Sequence, residues 1–155
     1  MINFQWYKFS ELTIELLYSV LALRADVFIS EQNRVCIDPD GKDINALHLL
    51  GVENGVLVAY LRLFLPTDIE NYISFGRVVT TRFTRKKGHG KLLMQELLDY
   101  CDTNFPGVSI VCCAQKYLKN FYESFAFKMY GDVYEVDGIS HISMKKESSK
   151  LRDTI

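Results

Sequence analysis

Arg85, Lys86 and Lys87 precede Gly88-His89-Gly90, and Lys91 follows, so four cations crowd around two glycines, with Arg82 just upstream. Residues 72–81, "YISFGRVVTT", are β-branched and aromatic and predict a strand. Beyond the glycines, Leu93, Leu97 and Cys101 recur every four residues with Met94 and Leu98 beside them, the period of a helix with one buried face. Strand, glycine loop and helix together make an anion-binding arrangement. The first amides of a helix lack partners inside it, and the macrodipole leaves that end partly positive. A Walker loop requires four residues between its glycines and then Lys-Ser/Thr, which Gly88-His89-Gly90-Lys91-Leu92 does not provide. A dinucleotide fingerprint requires a third glycine where Leu93 stands. What remains is Arg-x-x-Gly-x-Gly.

The elements that must hold this loop follow from patterning. "INFQWYKF" predicts a first strand, and Ser10 is placed to cap a helix running to about Ser30, with Leu12, Leu16, Val20, Val27 and Phe28 inward. Residues 47–52 and 56–65 flank Asn54-Gly55, a tight-hairpin signal, and Pro66 stops the second run. After Pro106-Gly107, "VSIVCCA" predicts a buried strand. "YLKNFYESF" predicts a short helix in which Phe121 and Phe125, one turn apart, enter the core. A second hairpin is signalled by Asp137-Gly138. The strands on either side of the long helix are expected to be parallel neighbours.

The chain of 155 residues suits one domain with one core, and nearly half of it is hydrophobic. No apolar run reaches membrane-spanning length, and "MINFQWYKFSE" lacks the character of a signal peptide, which predicts a cytoplasmic protein without a membrane partner. A net charge of −1, with the positive charge local to residues 82–91, argues against general nucleic-acid binding. Four cysteines without a Cys-x-x-Cys pair predict free thiols and no metal site. Cys112 and Cys113 are adjacent and point to opposite faces of a strand.

With these elements in order, three parts resemble the GNAT superfamily of acyl-CoA-dependent N-acetyltransferases. They are the strand ending Val78-Val79-Thr80, the Arg85-x-x-Gly88-x-Gly90 loop, and "NFYESFAF". More closely, "LRADVFISEQ", "DPDGKD", "FGRVV", "AQKYLKNFYESFAF" and "VYEVDGISHISM" resemble, in that order, the small bacterial ElaA-like branch. Ala126 departs from it, standing where many relatives have glycine at a turn.

The resemblance implies a single-domain α/β GNAT fold over residues 1–146. Its mixed central sheet has a splayed parallel strand pair and is flanked by helices. Residues 147–155 are expected as a loosely held or disordered tail. It implies acetyl-CoA as acyl donor and direct transfer of the acetyl group to a primary amine through a tetrahedral intermediate. Backbone amides over residues 86–91, among them those of Lys86, Lys87, His89 and Lys91, are then expected to cradle the pyrophosphate, because Gly88 and Gly90 admit close approach. Arg82, Arg85 and the lysines reach toward the ribose phosphate. Val78, Val79 and Thr80 offer main-chain groups to the pantetheine and the thioester carbonyl. Asn120 bonds the pantetheine arm. Tyr122, turned roughly 100° from Phe121 by the helical period, is expected to face the cofactor and protonate the departing thiolate.

On the acceptor side an alkylammonium of pKa ~10 must lose a proton. The strand "ISFGRVV" carries Arg77 but no acid. Glu31 ranks first as base and His48 second. Gln32 and His141 are further acceptor-side candidates. Arg24 and Arg77 either bind an acceptor carboxylate or pair with Asp38, Asp40 or Glu31. The acceptor is a small molecule or a peptide, and a homodimer is expected at family level. Two alternatives stand beside this: a catalytically silent acyl-CoA-binding module, and an enzyme like the acyl-homoserine-lactone synthases, whose early Arg-x-x-x-Phe and following acids Arg24, Phe28, Asp38 and Asp40 echo.

Overall fold

The computed structural model describes residues 1–34 and 36–147. The expected tail therefore lies, from residue 148 on, outside the described residues. Among the described residues seven strands hydrogen-bond in the order β1-β2-β3-β4-β5-β7-β6. The chain divides into two compact units, one of Met1–Phe64 with Arg77–Leu97, the other of Leu65–Gly76 with Leu98–Ile155. The division falls within β4 (Ile73–Thr80), where Arg77 takes a left-handed φ of 51°. A non-glycine residue with positive φ inside a strand marks a local break in its pleat.

In the first unit β1 (Asn3–Lys8), β2 (Leu47–Glu53) and β3 (Val56–Phe64) form an antiparallel meander. Asn54 and Gly55, at φ 52° and 76°, make the β2–β3 turn with both central residues left-handed, as the expected tight hairpin demands. The first helix begins later than Ser10. Residues Phe9–Glu11 instead form a 3-10 turn, closed by Glu11 Oε1 accepting from the Lys8 amide at 2.7 Å. Thr13 is the cap of α1 (Ile14–Ala25), its hydroxyl accepting from Leu16 N at 3.1 Å. The helix continues to the expected end but changes type. Asp26–Glu31 is a π-turn with bonds from Gln32 N to Val27 O and from Arg34 N to Ile29 O. The inward face holds the expected residues and adds Leu23: Val20, Leu23 and Val27 bury against Leu50, Tyr60 and Val79, with Leu12, Leu16 and Phe28 packed around them.

In the second unit β5 (Ile110–Gln115) pairs in parallel with the start of β4 through Ile73↔Ile110, Ser74↔Val111 and Phe75↔Cys112. On its other side it pairs antiparallel with β7 (Ile139–Lys146), which pairs with β6 (Lys128–Val136) across the Asp137-Gly138 turn. Between β4 and β5 the chain forms α2 (His89–Asn104), whose Leu93, Met94, Leu97 and Cys101 are buried at the predicted four-residue steps.

The short α3 (Lys119–Glu123) corrects one expectation. Phe121 and Phe125 are only half-buried, whereas Tyr122 and Phe127 are the buried rings. The helix ends in a Schellman turn, with Phe127 N–H donating to Tyr122 O and Ala126 N–H to Glu123 O. That turn folds the residue after the left-handed position back onto the last helical turn. It therefore selects Tyr122, rather than Phe121, as the partner of Phe127.

Candidate active site

The candidate residues lie in both units. The first unit holds the glycine loop. Thr81 N–H donates to Val58 O at 2.9 Å where β4 ends, and Arg82–Thr84 makes a 3-10 turn. Lys86 (φ 76°) and Gly88 (φ 79°) then turn the backbone twice into α2. The bond from Leu92 N to Gly88 O is the earliest of the helix, so the amides of His89, Gly90 and Lys91 have no partner inside it. No acidic residue sits in this first turn to quench the dipole. A methyl group added at Gly88 would meet nothing within 4 Å, so this side of the loop is open. His89 is 4% exposed, with Nε2 3.5 Å from Glu53 Oε2 and Nδ1 buried without a hydrogen-bond partner among the described residues. Lys87 Nζ lies 3.9 Å from the same carboxylate. Open amides, local cations and an orphaned ring nitrogen fit a phosphate-bearing ligand such as coenzyme A. Val78 and Thr80 beside the loop are half-buried, and Val79 points into the core.

Two of the loop's arginines meet acids of the π-turn. Arg82 grips Asp26 (Nη2 to Oδ1 2.5 Å, Nε to Oδ2 3.1 Å). Arg85 forks onto Glu31, with Nη2 2.6 Å from Oε1 and Nη1 on the other oxygen. Arg82 holds the Asp26 carboxyl below its usual range, and Arg85 does the same for Glu31 against a smaller opposing effect of burial. Glu31 is thus ionised at neutral pH, the form a base requires, but its lone pairs are engaged. Gln32, next in the chain, accepts from Arg34 Nη1 at 3.5 Å. Sequence reasoning missed Asp26. The available signal was its spacing of five from Glu31, legible only once a π-turn is known.

Arg24 and Arg77 adopt the pairing alternative. Arg24 is wholly buried, its Nε 2.8 Å from Asp38 Oδ2 and its Nη1 2.8 Å from Asp43 Oδ1. Arg62 bridges Asp43 (2.9 Å) and Asp40 (2.6 Å), and Arg77 bonds the Asp38 carbonyl at 3.0 Å. Three arginines and three aspartates alternate, so the cluster is self-neutral. It pins the loop between α1 and β2 to the sheet. His48 sits behind it. Its Nε2 is 2.9 Å from the Asp43 carbonyl, which can only accept, so Nε2 carries the proton. Nδ1, 2.7 Å away, then accepts from the Tyr60 hydroxyl. Burial lowers the His48 pKa despite the Asp43 carbonyl, and burial raises that of Tyr60. The relay is neutral and saturated.

The second unit holds Asn120, Tyr122 and His141. Asn120 is exposed in the first turn of α3. Tyr122 is 4% exposed among Phe75 (6.2 Å between centroids), Phe121 (5.1 Å) and Phe127 (6.0 Å). Burial, then the neighbouring Cys112 thiol, raises its pKa, so the phenol keeps its proton throughout the working range. His141 donates from Nδ1 to Ile139 O (2.8 Å) and stacks on Tyr134 (6.0 Å, 26°). All four cysteines are free, Cys112 buried and Cys113 exposed on opposite faces of β5. Among the described residues no cluster of ligating side chains could hold a metal ion, and no helix is long and apolar enough to cross a membrane.

A strand that breaks its pleat leads into a cationic glycine loop and feeds the N-terminus of a crossover helix, an arrangement suited to an anionic ligand. Residues 41–148 match the acetyltransferase (GNAT) domain, and the chain belongs to that family. It is 40% identical over 149 residues to Protein ElaA of Escherichia coli K12, covering 95% of this chain and 97% of the relative. The crystal structure of Escherichia coli ElaA superposes with a TM-score of 0.87 at 39% identity, covering 95% of this chain and all of that one. An acyl-CoA N-acyltransferase from Pseudomonas aeruginosa superposes with a TM-score of 0.89 at 32% identity, covering 94% and 99%. The AHL synthase LasI shares the fold alone, at 15% identity and a TM-score of 0.77 over 95% and 90% of the two chains. The molecule is a GNAT-type α/β domain with a mixed sheet and one parallel strand pair.

Proposed function

We propose that this chain is an acetyl-CoA-dependent N-acetyltransferase acting on a primary amine of a small molecule or peptide. The supporting observation is the loop of residues 85–91. It presents open amides at an acid-free helix start and a buried His89 nitrogen that lacks a partner. In this reading those amides hold the pyrophosphate, assisted by Lys86 and Lys91. Main-chain groups of Val78, Val79 and Thr80 hold the pantetheine, with Asn120 bonding the same arm. The donor supplies an acyl thioester open to attack by an amine. An amide directed at the thioester carbonyl stabilises charge developing on its oxygen.

Tyr122 gives its proton to the leaving sulfur. Burial keeps the phenol protonated at neutral pH, the form a donor requires, while making it a weaker acid than a free phenol. Glu31 is the base of choice over His48. Glu31 is ionised and its side chain is 28% exposed, whereas both nitrogens of His48 are committed to Asp43 and Tyr60. Gln32 and His141 remain as acceptor-side candidates, whereas Arg77 is committed to Asp38. The cytoplasm suits four free thiols. The lactone-synthase alternative draws on the fold and on the Arg24, Phe28, Asp38 and Asp40 pattern, and here Arg24 pairs with Asp38 while Asp40 pairs with Arg62.

A panel of amines incubated with acetyl-CoA, read as free thiol released, tests the reading. Amine-dependent release that Gly90→Glu abolishes is the expected result. Binding of coenzyme A with no turnover on any amine would make the chain a silent acyl-CoA-binding module.

A further inference from the structure

Asp26 and Glu31 are five residues apart. On an α-helix that spacing sets side chains roughly 140° apart around the axis. Here the segment is a π-turn, whose i→i+5 bonds bring residues five apart toward the same side. Opposite them, Arg82 opens a 3-10 turn that ends at Thr84, and Arg85 follows it in extended backbone. The acids meet the two arginines in order: Asp26 with Arg82, Glu31 with Arg85. All four side chains are between 28% and 43% exposed, so both pairs stand in partial contact with water.

We propose that these two carboxylates are a latch that competes with the donor's phosphates for Arg82 and Arg85, so that donor binding releases Glu31. This rests on the reading that the loop holds coenzyme A. Ion pairs with this much exposure are weak and easily exchanged. A phosphate monoester carries about −1.5 to −2 charges at pH 7 against −1 for a carboxylate, and offers three acceptor oxygens. It therefore outcompetes Asp26 or Glu31 for a guanidinium within reach. When Arg85 turns to phosphate, the Glu31 oxygens lose the fork that occupies them. The carboxylate is then free to accept the proton of an incoming ammonium. Acceptor activation thus follows donor binding and cannot precede it, which makes the order of addition a property of the fold. Asp26 acts as a positioning residue, since its carboxylate is bonded to Arg82 and the pairs hold the π-turn against the loop.

Calorimetric titration of the full-length chain separates the outcomes without requiring an acceptor. The probes are coenzyme A, 3′-dephospho-coenzyme A and pantetheine. Asp26→Asn and Glu31→Gln keep the side-chain shape and remove the competing charge. Each is expected to bind coenzyme A about two- to five-fold more tightly than the parent, while pantetheine, which has no phosphate, binds all three proteins alike. Smaller tightening toward the dephospho form would assign the 3′-phosphate as the competitor. Equal tightening toward both nucleotides would assign the pyrophosphate, and either supports the latch. Unchanged or weaker coenzyme A binding in both variants overturns it, because the acids would then be indifferent or would position the arginines for the ligand. If the parent itself fails to bind coenzyme A, the loop assignment falls first. The exposed positions of both acids make folding insensitive to these changes, and thermal melts of the ligand-free variants verify that.

Discussion

Phe127 donates its amide to the Tyr122 carbonyl and lays its ring against the Tyr122 ring, 6.0 Å between centroids at 75°. The two contacts are the backbone and side-chain halves of one Schellman turn. The left-handed residue between them is Ala126, at φ 71°. The orientation of the proposed proton donor therefore depends on a turn whose sequence is not optimal for it.

Glycine suits that position better than alanine. An alanine held left-handed costs about 1–2 kcal/mol, partly offset by the extra freedom glycine gains in the unfolded chain. Ala126→Gly is expected to stabilise the fold by about 0.5–1 kcal/mol, a rise of roughly 1–4 °C in Tm. A lower Tm by scanning calorimetry would contradict this account of the turn.

Tyr122→Phe removes only a hydroxyl from a buried, ring-lined setting. Coenzyme A affinity should hold while turnover falls roughly ten-fold to a thousand-fold, the usual worth of a positioned acid. Rates taken where chemistry is limiting decide it. Parental turnover would exclude Tyr122 as proton donor.

Gly90 lies in the first turn of α2, where the helix amides are open. Gly90→Glu sets a like charge against the incoming phosphates. The Tm increase that coenzyme A gives the parent by mass action should vanish in the variant. A retained ligand-induced shift would move the phosphate site away from this loop.

Asp43 is shared by Arg24 and Arg62. Asp43→Asn leaves the wholly buried Arg24 with one carboxylate, and stability should fall by about 3 kcal/mol, as when a buried pair loses one partner. Urea unfolding measures it. A loss below about 1 kcal/mol would mean the network is dispensable.

The same cluster sets the response to acid. Asp40 is held low by its Arg62 bonds. Asp43 is held low because its arginines outweigh burial, and His48 is held low by burial. Each folded pKa lies below its unfolded value, so each group's contribution is complete above the unfolded pKa and fades as pH falls toward the folded one. His48 begins to act below about pH 6.5 and the aspartates below about pH 4. Tm against pH should decline in two stages, and His48→Gln should flatten the upper one while leaving the lower.

Local chemistry made much of this legible. The Asn54-Gly55 and Asp137-Gly138 hairpins, the buried period Leu93-Leu97-Cys101 and the glycine loop are patterns within a few residues, and each formed where expected. Four features were beyond that reach. The α1 cap moved from Ser10 to Thr13 because Glu11 closed a turn on Lys8. The passage from α to π geometry at Asp26 left no composition signal. Two kinds of partner were open to Arg24 and Arg77, and only the return of the loop carrying Asp38, Asp40 and Asp43 decided between them. His48 was an apolar-strand histidine until Tyr60 and the Asp43 carbonyl fixed its tautomer. Residue spacing along the chain specifies which face a side chain takes within its own element. Which charge it meets depends on segments 14 to 56 positions away, such as Asp38 for Arg24 and Arg82 for Asp26, and only the folded chain brings these together.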